Sequence, residues 1–167
     1  MFTRHDITDL EPSELETALA DLGAKSFHAG QIYHWIYRYA LTKFSGMTDL
    51  SIELRERLTQ EFKIPTPSIV SREESTDGTI KFLLRLEDGL QIETVFIPDT
   101  PAMTLCISTQ GGCAMRCDFC LTGKMGLARN LTAGEIAVQV RVLAHELALT
   151  NRSFNIVLMG MGEPLHN

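Results

Sequence analysis

Residues 104–120 read Thr104-Leu105-Cys106-Ile107-Ser108-Thr109-Gln110-Gly111-Gly112-Cys113-Ala114-Met115-Arg116-Cys117-Asp118-Phe119-Cys120. A short strand-like run, Leu105-Cys106-Ile107, gives way to a loop whose three last cysteines are spaced C-x3-C-x2-C. Beyond it, Thr132 to Leu149 has the apolar spacing of an amphipathic helix, and Phe154 to Met159 is an apolar run of buried-strand type. Strand, loop, helix and strand make one βαβ unit, which predicts a parallel pair of strands joined by a crossover helix. The sequence stops at Asn167, just after the second strand, whereas a parallel barrel or sheet needs several more units. The expectation is a fragment of a longer protein, with the apolar edge of its last strand left open.

Upstream the pattern is different. Ile69-Val70, Lys81 to Leu86 and Leu90 to Ile97 read as strands, separated by the turn dipeptides Asp77-Gly78 and Asp88-Gly89, with Glu93 interrupting the last apolar run. Residues 1 to about 64 read as helical. Thr8 or Ser13 is the expected cap of a first helix, Glu14 to Leu22, which Gly23 ends. A second helix, His28 to Leu41, places Ile32, Trp35, Ile36 and Tyr39 at helical spacing, with Trp35 and Tyr39 expected in the core. A third, Ser51 to Phe62, groups Ile52, Leu54, Leu58 and Phe62, and Pro65 and Pro67 close the region. The predicted fold class is therefore α/β. A helical domain (1–66) and a β-hairpin segment (67–98) precede the first βαβ unit of a truncated, partial TIM-type barrel (99–167). No repeats or low-complexity segments interrupt this organisation.

Composition narrows the class. With 44% hydrophobic and 22% charged residues the chain can build a core and is neither disordered nor fibrous. No apolar run approaches the ~20 residues that span a bilayer, and the first residues, Met1-Phe2-Thr3-Arg4-His5-Asp6, do not form a signal peptide. This predicts a cytoplasmic protein that does not engage membranes. The net charge of -6 argues against a broad basic surface that grips nucleic acid through many phosphates, though a local basic path needs only a few Arg and Lys side chains. All four cysteines lie between 106 and 120, and in a reduced compartment such a cluster reads as metal binding or redox chemistry.

Three thiolates in one short loop, Cys113, Cys117 and Cys120, can ligate three irons of a [4Fe–4S] cube and leave the fourth iron open. In radical S-adenosylmethionine (SAM) enzymes that open iron chelates SAM, and an electron from the cluster splits it to a 5′-deoxyadenosyl radical. The competing assignment is zinc held by Cys106 and the triplet, against which the x3 spacing and the single C-x2-C pair weigh. A second motif, Gly160-Met161-Gly162-Glu163-Pro164, follows the second parallel strand directly. Its glycines admit a ligand to the backbone, and Glu163 offers a carboxylate to an ammonium group. Alone, such a turn is most often only a turn. Both motifs, however, fall at the carboxyl ends of parallel strands, where α/β folds bind ligands.

Thr104 to Gln110, Gly112-Cys113, the triplet, Asn130-Leu131 and Gly160 to Pro164 closely resemble the RlmN family of radical SAM methyltransferases. The likeness extends upstream through Ser75-Thr76-Asp77-Gly78-Thr79-Ile80-Lys81 and Ile92 to Pro98, and more weakly through Phe27 to Ile32 and Met47 to Leu50. The resemblance implies methylation of adenine C2 in 23S ribosomal RNA and next to the anticodon of tRNA, through a methyl-cysteine intermediate. It implies that Cys113, Cys117 and Cys120 bind the cluster and that Gly162 and Glu163 contact SAM. By the same likeness Cys106 is the second catalytic cysteine, which resolves the protein–RNA adduct by forming a disulfide, and Glu93 is the proton acceptor. Residue type alone would make Cys106 an inert strand thiol and Glu93 a solvated strand residue. The helical region resembles an accessory RNA-contacting domain. A monomer served by an electron donor such as flavodoxin is the expected assembly.

The family's methyl-carrying cysteine lies near its carboxyl end, and this sequence has no cysteine after Cys120. The 167 residues alone are therefore expected to be inactive. The C8-methylating resistance enzymes share these motifs and stay open as an alternative, as does a non-catalytic zinc-binding RNA-interaction module. Tyr33, Trp35, Tyr37 and Tyr39 could stack bases, although their spacing puts them on several helix faces. His145-Glu146 reads as solvated surface.

Overall fold

Caps and turn residues decide where the helices of the first 65 residues begin and end. The computed structural model describes residues 4–98 and 102–167, in two units, Met1–Pro65 and Thr66–Asn167. A two-residue strand, β1 (His5–Asp6), leads to α1 (Pro12–Asp21), which starts earlier than expected because Pro12 takes the first helical position. Neither Thr8 nor Ser13 is its cap: the Glu14 carboxylate accepts the Glu11 N–H at 2.8 Å, while Thr8 is itself capped by Asp6. Gly23, at φ +68°, ends the helix with the Ala24 N–H on the Leu19 carbonyl at 2.8 Å.

The helix expected from His28 to Leu41 is shorter. It runs as α2 (Phe27–Tyr33) into a wide, π-type turn over His34–Arg38 and stops at Ala40, which has φ +52°. Ile32 and Ile36 are buried as expected, but Tyr39 is 54% exposed. In α3 (Ile52–Glu61) Ser51 caps the first turn by accepting the Leu54 N–H. Leu54, Leu58 and Phe62 are buried on one line, whereas Ile52, about 200° round the helix from Leu54, faces solvent. The strand β2 (Phe62–Lys63) pairs in parallel with β1.

In the second unit three strands, β3 (Ser68–Glu74), β4 (Ile80–Arg85) and β5 (Gln91–Ile97), form an antiparallel meander. Its turns are the expected ones: Gly78 and Gly89 sit at φ +80° and +88°, and the Asp77 and Asp88 carboxylates accept the N–H two residues on. Next come β6 (Thr104–Cys106) and a small antiparallel ribbon of β7 (Gln110–Gly112) and β8 (Leu127–Asn130), with the short helix α4 (Leu121–Met125) between them. The helix α5 (Ala133–Glu146) and the strand β9 (Asn155–Val157) complete the unit.

The five-stranded sheet has the order β3-β4-β5-β6-β9, with β6 antiparallel to β5 and parallel to β9. The βαβ unit is thus present, and β5 carries the hairpin strands into the same sheet. The border expected after residue 98 adjoins residues 99–101, which lie outside the described residues. The fold is mixed α/β. One sheet face buries Ile80, Phe82, Leu84, Ile92, Phe96 and Leu105 in a core shared with Leu143 and Ala144 of α5. The apolar strand β9 is not buried: it has one neighbour in the sheet, and Ile156 is 51% exposed. His145 and Glu146 are exposed, as expected. Among the described residues no helix is long and apolar enough to cross a membrane.

Candidate functional site

The sheet register places Glu93 and Cys106 on one face. Lys81 pairs with Val95, Val95 with Cys106, and Cys106 with Val157, so these four side chains form one row across four strands. Strand alternation then puts Glu93, two residues before Val95, in the neighbouring row of that face. This is the face opposite the buried core, and Thr94, which points the other way, bonds Gln139 of α5. Partial burial raises the Cys106 thiol pKa, and a backbone hydrogen bond from Met159 offsets this in part. Glu93 is half-exposed, and its Oε1 lies 3.4 Å from Lys81 Nζ, which also reaches Glu73 at 3.4 Å. The two carboxylates, Glu93 first, raise the lysine pKa.

Beyond β6 the chain runs alongside the Gly160–Glu163 turn. The Gly160 N–H donates to the Ile107 carbonyl at 3.0 Å, and the Thr109 and Gln110 N–H groups both donate to the Met161 carbonyl. No side chain fits between the two segments. A Cβ on Gly160 would lie 2.7 Å from the Ile107 carbonyl carbon, and one on Gly162 2.6 Å from Gln110 Cβ. Gly162 also has φ +105°, a region that favours glycine. The Glu163 N–H donates to Gln110 Oε1 at 3.0 Å, and the Glu163 carboxylate accepts the Leu165 N–H at 3.1 Å. Beside Gly162 the Thr109 hydroxyl is buried and has no partner among the described residues.

The cysteine loop is closed at its base by β7 and β8. Gly112, at φ +83°, lets the backbones touch: a Cβ there would fall 1.8 Å from the Gly126 carbonyl oxygen, which accepts the Cys113 N–H at 3.0 Å. Arg129 on β8 ties this base to its surroundings through Asp88 and Glu135, each at 2.7 Å, and the two carboxylates raise its pKa. Within the loop Cys113 is buried, Cys117 exposed and Cys120 half-exposed, and all four cysteines are free thiols. Backbone hydrogen bonds, from Gly123 above all and then Thr122, lower the Cys120 thiol pKa. Among the described residues no three His, Cys, Asp or Glu side chains are gathered closely enough to hold a metal. The donor set nevertheless fits an iron–sulfur group: three soft thiols on one anchored loop, one of them biased towards thiolate, beside a glycine turn.

The structure thus brings Glu93 and Cys106 together on the sheet, and Gly162 and Glu163 beside the segment that leads from Cys106 into the loop. Sequence reasoning missed three buried polar residues that hold this arrangement, Ser108, Gln110 and Gln139. Gln139 had a readable signal, since it interrupts the apolar stripe of α5 between Ile136 and Leu143.

Comparisons with known proteins place the chain beside RNA methyltransferases. Residues 5–64 match the model of the ribosomal RNA large subunit methyltransferase N-terminal domain. The chain is 47% identical over 167 residues to a dual-specificity RNA methyltransferase RlmN of Geobacter sulfurreducens, covering all of this chain and 45% of that protein. It is 49% identical over 166 residues to the RlmN protein of Syntrophotalea carbinolica, covering 99% of this chain and 44% of that one. Among solved structures, a radical SAM methyltransferase from Sphaerobacter thermophilus superposes with a TM-score of 0.87 at 43% identity. That match covers 98% of this chain and 48% of the other. The chain spans less than half the length of the curated relatives it matches.

Proposed function

We propose, from a chain that is a relative of the RlmN methyltransferases over its whole length, that the protein is a radical SAM RNA methyltransferase. Its substrates are 23S ribosomal RNA and tRNA, and its target is C2 of adenine, reached through a methyl-cysteine intermediate. The observation that carries this reading is the close seam between Ile107–Gln110 and Gly160–Gly162, where two glycines leave no room for a Cβ. That seam sets a glycine turn bearing Glu163 next to the segment that links Cys106 to the cysteine loop. Cys113, Cys117 and Cys120 would hold a [4Fe–4S] cluster, which when bound supplies the electron that reductively cleaves SAM. Gly162 would admit SAM to the backbone, and the Glu163 carboxylate would bind its ammonium group in a charge-assisted contact.

On the open face of the sheet, the Cys106 thiolate would attack the sulfur that carries the RNA, forming a disulfide as that sulfur's bond to the methylene carbon breaks and the carbon takes up a proton to leave as the methyl group of the product. Partial burial disfavours the Cys106 thiolate, and the thiol must give up its proton before it attacks. The Glu93 carboxylate, one row away and paired with Lys81, would take the proton from the RNA adduct. We assign residues 1–66 an accessory RNA-contacting role, consistent with the family model matched there. A monomer in a reducing cytoplasm, served by a flavodoxin-like electron donor, suits this chemistry.

The test uses the full-length protein, reconstituted anaerobically. Wild type should bind about four irons and four sulfides per chain, and Cys113→Ala, Cys117→Ala or Cys120→Ala should lower both. Cys106→Ala should keep the cluster and accumulate a covalent protein–RNA adduct. Zinc without sulfide, or free methylated RNA released at the normal rate by Cys106→Ala, would overturn the reading. Methylation mapped to C8 would move the protein to the resistance enzymes.

A further inference from the structure

We propose that Gln139 and Ser108 act as a positioning unit, holding the Gly160–Glu163 turn against the strand of Cys106 and so setting how tightly the turn grips its ligand. Gln139 occupies a core position of α5 where a leucine would bury more apolar surface, and it is fully buried. Its side-chain amide uses its whole bonding capacity. Oε1 accepts from Thr94 Oγ1 at 2.9 Å and from the Ser108 N–H at 2.8 Å, while Nε2 donates to the Ser108 carbonyl at 2.8 Å and the Glu135 carbonyl at 3.1 Å. Ser108 lies two residues beyond the end of β6, where regular strand pairing has ended. Gln139 thus stands in for the peptide of a neighbouring strand, satisfying both backbone groups of Ser108 at once.

The Ser108 side chain is then free to work elsewhere. Its hydroxyl donates to the Glu93 carbonyl and accepts the Met161 N–H at 2.9 Å. One serine therefore joins the Glu93 strand, the start of the cysteine segment and the middle residue of the glycine turn, and one glutamine holds that serine in place. A fully satisfied buried network of this kind is stiff and has one arrangement. Neither Gln139 nor Ser108 is among the residues assigned to ligand binding or chemistry above, so the role of the pair is to position groups that are.

The consequence for SAM rests on the functional reading above; the effect on the turn does not. In the full-length protein without cofactors, hydrogen exchange of the peptide covering residues 160–163 should quicken about tenfold in Gln139→Met, with peptides from β4 and α3 unchanged. Ser108→Ala should do the same by removing the acceptor of the Met161 N–H, and it covers the case in which Gln139→Met fails to fold. Gln139→Glu supplies a readout that a merely structural residue would not. A carboxyl there reproduces the donor to the Ser108 carbonyl only when protonated, so exchange corrected for intrinsic rate should match wild type at acid pH and quicken as pH rises. Wild type should show no such dependence. After cluster reconstitution, SAM binding should weaken about tenfold in Gln139→Met with iron content unchanged. Unaltered exchange at 160–163 in both neutral variants, equal loosening of the whole unit, or a pH-independent Gln139→Glu would overturn the proposal. Should Glu163→Ala leave SAM affinity intact while Gln139→Met still loosens the turn, the SAM assignment falls and the positioning role stands.

Discussion

The two units bury different things. In the first, the core is built from apolar residues such as Ile7, Leu15, Ile32, Ile36 and Leu58, with Thr8 the one buried polar residue among those described. In the second, Thr94, Thr104, Ser108, Thr109, Gln110, Gln139 and Arg141 are all buried. Four of these seven, Ser108, Thr109, Gln110 and Gln139, lie at or bond to the segment between Cys106 and the cysteine loop. Burying a polar group without a partner costs about 1–3 kcal/mol, so such residues concentrate where backbone geometry has to be fixed and not merely covered. The first unit is an apolar core held at its helix ends; the second invests its interior in aligning a loop and a turn.

The contrast can be broken most directly through the apolar core. Leu58→Ala should destabilise the first unit by about 2–5 kcal/mol, the cost of a large-to-small change at a fully buried site. Denaturant unfolding followed by Trp35 fluorescence measures it, and a loss below about 1 kcal/mol would mean the core collapses around the gap. In the second unit the expected damage is to alignment. Gly162→Ala meets Gln110 Cβ at 2.6 Å from a backbone at φ +105°, so strain of about 1–3 kcal/mol is expected. It should appear as weakened SAM binding in the full-length protein with iron content preserved; unchanged affinity would show that the seam yields.

Helix ends supply a finer test. Ala148 ends α5 at φ +53°, with the Leu149 N–H on the Ala144 carbonyl. Ala148→Gly should therefore stabilise the second unit by about 0.5–1 kcal/mol, read as a raised unfolding midpoint. Any destabilisation would mean that the alanine side chain contributes more than its backbone strain removes. The smallest effect concerns reactivity and leaves stability untouched. Because burial disfavours the Cys106 thiolate, its alkylation rate should begin to rise at a higher pH than that of an ordinary thiol. Mass spectrometry of iodoacetamide-treated protein follows it site by site, and a rise at lower pH would contradict the placement of Cys106.

Much of this was legible from local signals. The Asp-Gly turns, the strand read over Lys81 to Leu86 and the helix read from Thr132 all rest on signals within a few residues, and the structure has the turns in place, the strand at Ile80–Arg85 and the helix at Ala133–Glu146. Misreadings arose where two signals competed. Ile52 counts as apolar in a helical window yet points away from Leu54, and Tyr39 follows the apolar stripe until the wide turn over His34–Arg38 rotates it outwards. The largest part of the site escaped because it depends on distant partners. The polar break at Gln139 in the stripe of α5 is visible, but its partner Ser108 lies 31 positions away and nothing local names it. Glu93 and Cys106 were singled out by family likeness, and their shared face emerged only from the register.

The ribbon at the base of the cysteine loop has one more consequence. Because β7 and β8 are zipped together and the Cys113 N–H is held by Gly126, the chain between them is a tethered ring. Arg116 and Lys124 are exposed on that ring, where trypsin can reach them. A cut at either site opens the ring without unpairing the ribbon or the sheet, so the two pieces should remain one particle under native conditions and separate only on denaturation. The part of the molecule that carries the thiols can come apart while the part that holds the ring shut stays folded.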